Sequence, residues 1–169
     1  MLVCTVQAEP HFEVEATVDP NLSVVQGTIR VLQAPQDGQV QWVDPLKDLP
    51  MPKDDRTTYR TFPGQKEIGR VGFTTLEPNT LRFYSVLPKR FGDIGTRPKK
   101  HLAGNGGWYP QPLVNGNMPH AKWTVTVHIP QGTTGALGNN IGQQTLQWTG
   151  EGDRISLVVI KGGVQTPIQ

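Results

Sequence analysis

Cysteine is nearly missing from this chain. Cys4 stands alone among 169 residues, so no internal disulfide can form. That fits a reducing compartment, and fits equally an exported bacterial protein built without disulfides. Long apolar runs are missing too: nothing approaches the roughly 18 consecutive apolar residues of a membrane-crossing helix. Charge is scarce, with 18% charged residues and a formal net charge of +2. The overall field therefore favours neither nucleic acid nor an anionic membrane as partner. Catalytic signatures are also lacking. There is no His-Glu-x-x-His, Cys-x-x-Cys, Gly-x-Ser-x-Gly, phosphate-binding loop or dinucleotide fingerprint. His11, His101, His120 and His128 do not fall at metal-ligand spacings. His11 and His128 read as solvated or hydrogen-bonded residues on the polar faces of strands. No catalytic residue, cofactor or metal ligand is predicted within the chain.

Turn formers are abundant instead: 19 glycines and 15 prolines, about a fifth of the residues and above the usual share. The length suits one domain. "HFEVEATV" alternates, with Phe12, Val14, Ala16 and Val18 on one face, and predicts a half-buried strand. "DPN" (Asp19 to Asn21) is turn chemistry, and "SVVQGTIRVLQ" returns as the second arm of a hairpin. Gly27 within it suggests a bulge or a close backbone approach. "GQVQWVDP" predicts a short third strand, and the pattern dissolves from Pro45 to Gly72. "TLRFYSVLP", "AKWTVTVHIP", "QTLQWTG" and "RISLVVIKGG" predict further strands, with "GALGNNIG" as a turn. The last strand is apolar on both faces and belongs in mid-sheet or between layers. The expected fold is all-β: a sandwich or saddle-shaped sheet with smaller sheets packed on it, about eight to ten strands. The expected core is Phe12, Val14, Val18, Ile29, Val31, Phe83, Trp123, Val125, Val127, Leu146, Trp148, Leu157 and Val159.

Residues 1–10 read as a first edge strand or as the tail of a signal peptide, with Ala8 at the small-residue cleavage position. Residues 11–163 form the single β domain, and 164–169 read as a linker. One stretch fits neither helix nor strand: "RFGDIGTRPKKHLAGNGGWYPQPL", Arg90 to Leu113. Its basic cluster (Lys89, Arg90, Arg97, Lys99, Lys100) is a solvated loop or an anion-binding surface. Trp108 and Tyr109 either plug the end of the core, or form an interdomain contact, or stack on a sugar.

The order of these features resembles the N-terminal β domain of the zinc aminopeptidase family that includes aminopeptidase N and leukotriene hydrolase. The residues that carry the resemblance are "HFEVEATVDPNLSVVQGTIRV", then "WYPQPLVNGNMPHAKWTVTVHIPQGTTGALGN" (Trp108 to Asn139), then "RISLVVIKGG". It spans most of 11–163 and is weakest over 45–80. The "RFGDIG" and "GGWYP" forms look like a divergent, exported bacterial branch. The chain departs from the family where Gln111 and Pro112 replace the usual Cys and Asp. "HLAGNGG" offers no equivalent of the family's substrate-holding Gln, so no substrate-binding residue carries over.

The resemblance implies a non-catalytic accessory domain. It would pack on and shape a downstream catalytic domain of the same polypeptide, and the zinc helix would lie in that domain. On this reading Arg90, Trp108, Tyr109 and Gln111 make the interdomain contact, and the surface at Trp108 is apolar and free in the isolated chain. The alternative is a stand-alone glycan- or peptide-binding module that uses the Trp108-Tyr109 loop. The expected location is periplasmic or extracellular, with the cytoplasm left open as the alternative, and neither reading includes nucleic acid or a transmembrane segment.

Overall fold

The computed structural model describes residues 9–22, 24–45, 70–86, 101–105 and 107–161. The expected signal remnant, the basic cluster with Arg90, and the 164–169 linker lie outside the described residues. Within them the protein is all-β. Its strands are β1 (His11–Val18), β2 (Val24–Gln33), β3 (Val40–Val43), β4 (Arg70–Glu77), β5 (Thr80–Val86) and β6 (His101–Asn105). They continue as β7 (Gln111–Val114), β8 (Ala121–His128), β9 (Thr133–Leu137), β10 (Asn140–Gly142), β11 (Thr145–Gly152) and β12 (Ser156–Lys161).

A six-stranded sheet in the order β11-β8-β1-β2-β5-β4 forms one layer. Its neighbours are antiparallel except β1 and β8, which run parallel. A four-stranded sheet, β10-β9-β12-β6, and the pair β3-β7 complete the architecture. One buried cluster joins all three sheets: Phe12, Val14, Trp123 and Val125 from the large sheet, Leu137, Leu157 and Val159 from the smaller one, with Val40 and Trp42 of β3 packed against it. Every residue expected in the core is there. Val31 and Trp148 are only partly buried, because Val31 lies near the end of β2 and Trp148 lies on the edge strand β11.

The first hairpin forms as its sequence dictates. Asp19 caps the turn through both carboxylate oxygens: Oδ1 accepts from the Val24 amide at 2.7 Å and Oδ2 from the Asn21 amide at 3.2 Å. Gly27 marks a close approach and not a bulge. It pairs with Ala16 without a break in register, and a Cβ there would lie 2.0 Å from the Glu15 carbonyl oxygen and 2.7 Å from the Ala16 Cα. Gly27→Ala is therefore expected to lower stability by about 1–3 kcal/mol, because backbone cannot yield as a flexible side chain would. Urea unfolding measures this, and an unchanged midpoint would mean that β1 and β2 do not approach so closely.

Three expectations need correction. Among the described residues there are twelve strands rather than eight to ten. The stretch from Arg90 to Leu113 is not all loop, since it contains β6 and most of β7. The glycine and asparagine of "HLAGN" mask a strand that pairs with β12 from Asn105↔Ser156 to His101↔Ile160. "GALGNNIG" contains the arms of a β9-β10 hairpin as well as its turn, where Gly138 takes φ of 57°. β4, unforeseen, is an edge strand hairpinned onto β5. As its two-sided apolarity predicts, β12 lies in mid-sheet between β9 and β6.

Candidate functional site

The tryptophan-tyrosine segment enters the core. Gly107 turns the chain with φ of 84°, and the Ser85 hydroxyl donates to the Gly107 carbonyl at 3.3 Å. Trp108, Tyr109 and Gln111 are then fully buried. Trp108 meets Tyr109 edge-on at 4.7 Å between ring centres, and Tyr109 meets Trp123 at 5.5 Å. Trp123 packs on Phe12 at 4.9 Å, and Phe12 on Trp42 at 5.7 Å. This aromatic chain runs from the Gly107 turn through the large sheet to β3. Offset and edge-on pairs of this kind add to the apolar burial they make.

Four side chains of the plug reach the end of β11 and its connection to β12, and Gln111 Nε2 also donates to the Pro112 carbonyl at 3.1 Å. Trp123 Nε1 donates to the Gly152 carbonyl at 3.0 Å, and Gln111 Nε2 to the Asp153 carbonyl at 3.4 Å. Trp108 Nε1 donates to the Ile155 carbonyl at 2.8 Å, and the Ile155 amide donates to the Tyr109 hydroxyl at 3.0 Å. Four side chains thus hold one turn by its backbone, satisfying groups that burial would otherwise leave bare.

Of the readings offered for Trp108 and Tyr109, their burial fits the plug of the core and not the sugar-stacking or interdomain contact: with Gln111 they come together as a structural clamp. A ring with no exposed surface can neither stack on a sugar nor touch a second domain. The apolar free surface expected at Trp108 is therefore not found there. Arg90, the fourth expected residue, lies outside the described residues. His11 and His128 are surface histidines as expected, facing the Thr124 hydroxyl at 2.9 Å and the Thr145 hydroxyl at 3.3 Å.

Three surfaces escaped the sequence reading. The first is the outer face of the four-stranded sheet, where Ile141 is 77% and Ile160 37% exposed. Ile141 pairs with Ala136, and Ala136 with Val158, so these apolar residues form one cross-strand row. The second is the outer face of the six-stranded sheet, where Tyr84 of β5 is 51% exposed, with Leu32 and Leu76 exposed towards the ends of β2 and β4. Tyr84 was legible only as the residue after the inward Phe83. The third joins Glu9, His120 and Glu151. His120 Nε2 lies 3.7 Å from a carboxylate oxygen of each glutamate, and the three potential ligand atoms lie within 4.8 Å of one another. Pairing of β8 with β1 on one side and β11 on the other brings together residues that no sequence spacing would connect. All three are exposed, and ion pairing of exposed groups is worth little. This trio is the one group among the described residues with donors close enough to share a cation.

No protein-family model matches the chain, and a search of curated proteins finds no match.

Proposed function

We propose that this chain is a non-catalytic N-terminal β domain of a metallopeptidase-like protein, which packs on and shapes a catalytic domain carried downstream in the same polypeptide. The zinc chemistry would belong to that other domain. The observation that carries the reading is the apolar row Ile141, Ala136 and Val158, with Ile160 beside it, on the outer face of the four-stranded sheet. Contiguous exposed apolar surface rimmed by polar residues marks interaction faces, and the isoleucines lie on β10 and β12 rather than in the plug. The contact is thus moved from Trp108 to this face. The resemblance of the hairpin, the Trp-Tyr-Pro segment and the closing strand to the aminopeptidase β domain supports the same reading. Each of these segments is a structural part of one packed unit: β1 and β2, the clamp with β8, and β12.

Reading the native gene past the codon for Gln169 tests the proposal. The expected frame continues into a chain with His-Glu-x-x-His and a Glu on the helix that follows. An immediate stop codon would overturn it. Export to the periplasm or beyond is part of the proposal and rests on "MLVCTVQA" alone.

A further inference from the structure

The outer face of the six-stranded sheet carries a groove of about 670 Å³ that crosses β1, β2, β5 and β4. That lies within the usual size range of small-ligand sites. Strand register fixes its two walls. One is the row Thr17, Gln26, Tyr84 and Gly72; the other includes Thr28, Arg82 and Thr74. The floor is the backbone at Gly27, Phe83 and Phe73, whose row points to the other side of the sheet. Four strands at the usual spacing give the groove a length of about 14 Å.

Tyr84 is the aromatic ring on this face, and the residue opposite it is a glycine. A Cβ at Gly72 would meet nothing nearer than the Tyr84 carbonyl oxygen at 3.9 Å, so the space beside the ring is open. Gln26 offers both a donor and an acceptor, Arg82 a planar fork of donors, and Thr28 and Thr74 hydroxyls.

From this geometry we infer that the groove binds a neutral oligosaccharide of β-linked pyranoses. Such a sugar presents an apolar C–H face to the tyrosine and a rim of hydroxyls to the amide, guanidinium and threonines. The alternatives fit the groove less well. A nucleic acid would need several stacking platforms and a basic track, whereas this groove has one ring and one cation, with Glu15 in register beside Thr28. A peptide added as a strand runs along a sheet edge, whereas this groove lies on the face of the sheet and runs across its strands. The inference is independent of whether a catalytic domain packs on the apolar face of the smaller sheet.

The experiment is an amide-resonance titration of the 169-residue chain with cellotetraose and, separately, chitotetraose. At least one should bind with a Kd on the order of a millimolar or tighter, moving resonances of Gln26, Gly72, Arg82 and Tyr84. Tyr84→Ala should weaken binding at least tenfold. Gly72→Val should do the same by filling the space beside the ring, while both variants keep the parent melting temperature. No shifts with either sugar, shifts centred elsewhere, or undiminished binding by both variants would each overturn the inference. If Tyr84→Ala fails to fold, Gly72→Val alone decides, since its new side chain enters open space.

Discussion

Val125→Asp should leave no folded protein. Val125 lies in the middle of β8, 1% exposed, between Val14 of β1 and Trp148 of β11 in register. Its side chain faces the cluster shared by the three sheets, where a carboxylate would meet only apolar neighbours. An ionised carboxylate cannot remain unpaired there, and a protonated one still lacks a hydrogen-bond partner. The loss should exceed about 4 kcal/mol, a large part of the roughly 5–15 kcal/mol that holds a domain together. Size-exclusion chromatography and near-ultraviolet circular dichroism provide the check. A soluble Val125→Asp variant that melts cooperatively would mean that β8 does not lie at the core.

Trp108→Ala should cost about 3–5 kcal/mol, the usual loss for a large buried aromatic. The change removes the ring from Tyr109 and also strips the Ile155 carbonyl of its indole donor. The two contributions can be separated. Trp108→Phe keeps an aromatic body beside Tyr109 and loses the donor with only part of the ring volume, so its loss should be smaller, about 1–3 kcal/mol. Urea unfolding at unchanged slope gives both values. Equal losses for the two variants would mean that the indole hydrogen bond accounts for the whole effect. Parent-like stability in both would mean that the ring is not part of the core.

The elements easiest to read from sequence were those with an uninterrupted alternation of two. In β1 and β8 every inward position is apolar or aromatic and every outward one polar or charged, so sequence and burial agree residue by residue. Strands built on glycine and asparagine carry no such signal. β6 is legible only through its partner β12, and partners distant in sequence are invisible to periodicity. The plug shows a different limit. Trp108 and Tyr109 were singled out correctly as unusual, but composition does not distinguish a ring that faces water from one that grips a backbone. Four hydrogen bonds to Gly152, Asp153 and Ile155 decide it. Tyr84 and the isoleucines of the smaller sheet were ordinary members of strands until register placed them beside a glycine or in an apolar row.

The parallel seam between β1 and β8 has a consequence for how the chain acquires its shape. His11 and Thr124 touch although 113 positions apart in sequence, and the seam lies in the interior of the large sheet. The β1-β2 hairpin can close early on local contacts. Its second edge must wait until β8 has been made and has found it, which requires closing a very long loop. Folding should therefore be slow for a domain of this size. During synthesis the nascent hairpin would emerge with Phe12, Val14 and Val18 uncovered, making the half-made chain a natural client of holding chaperones.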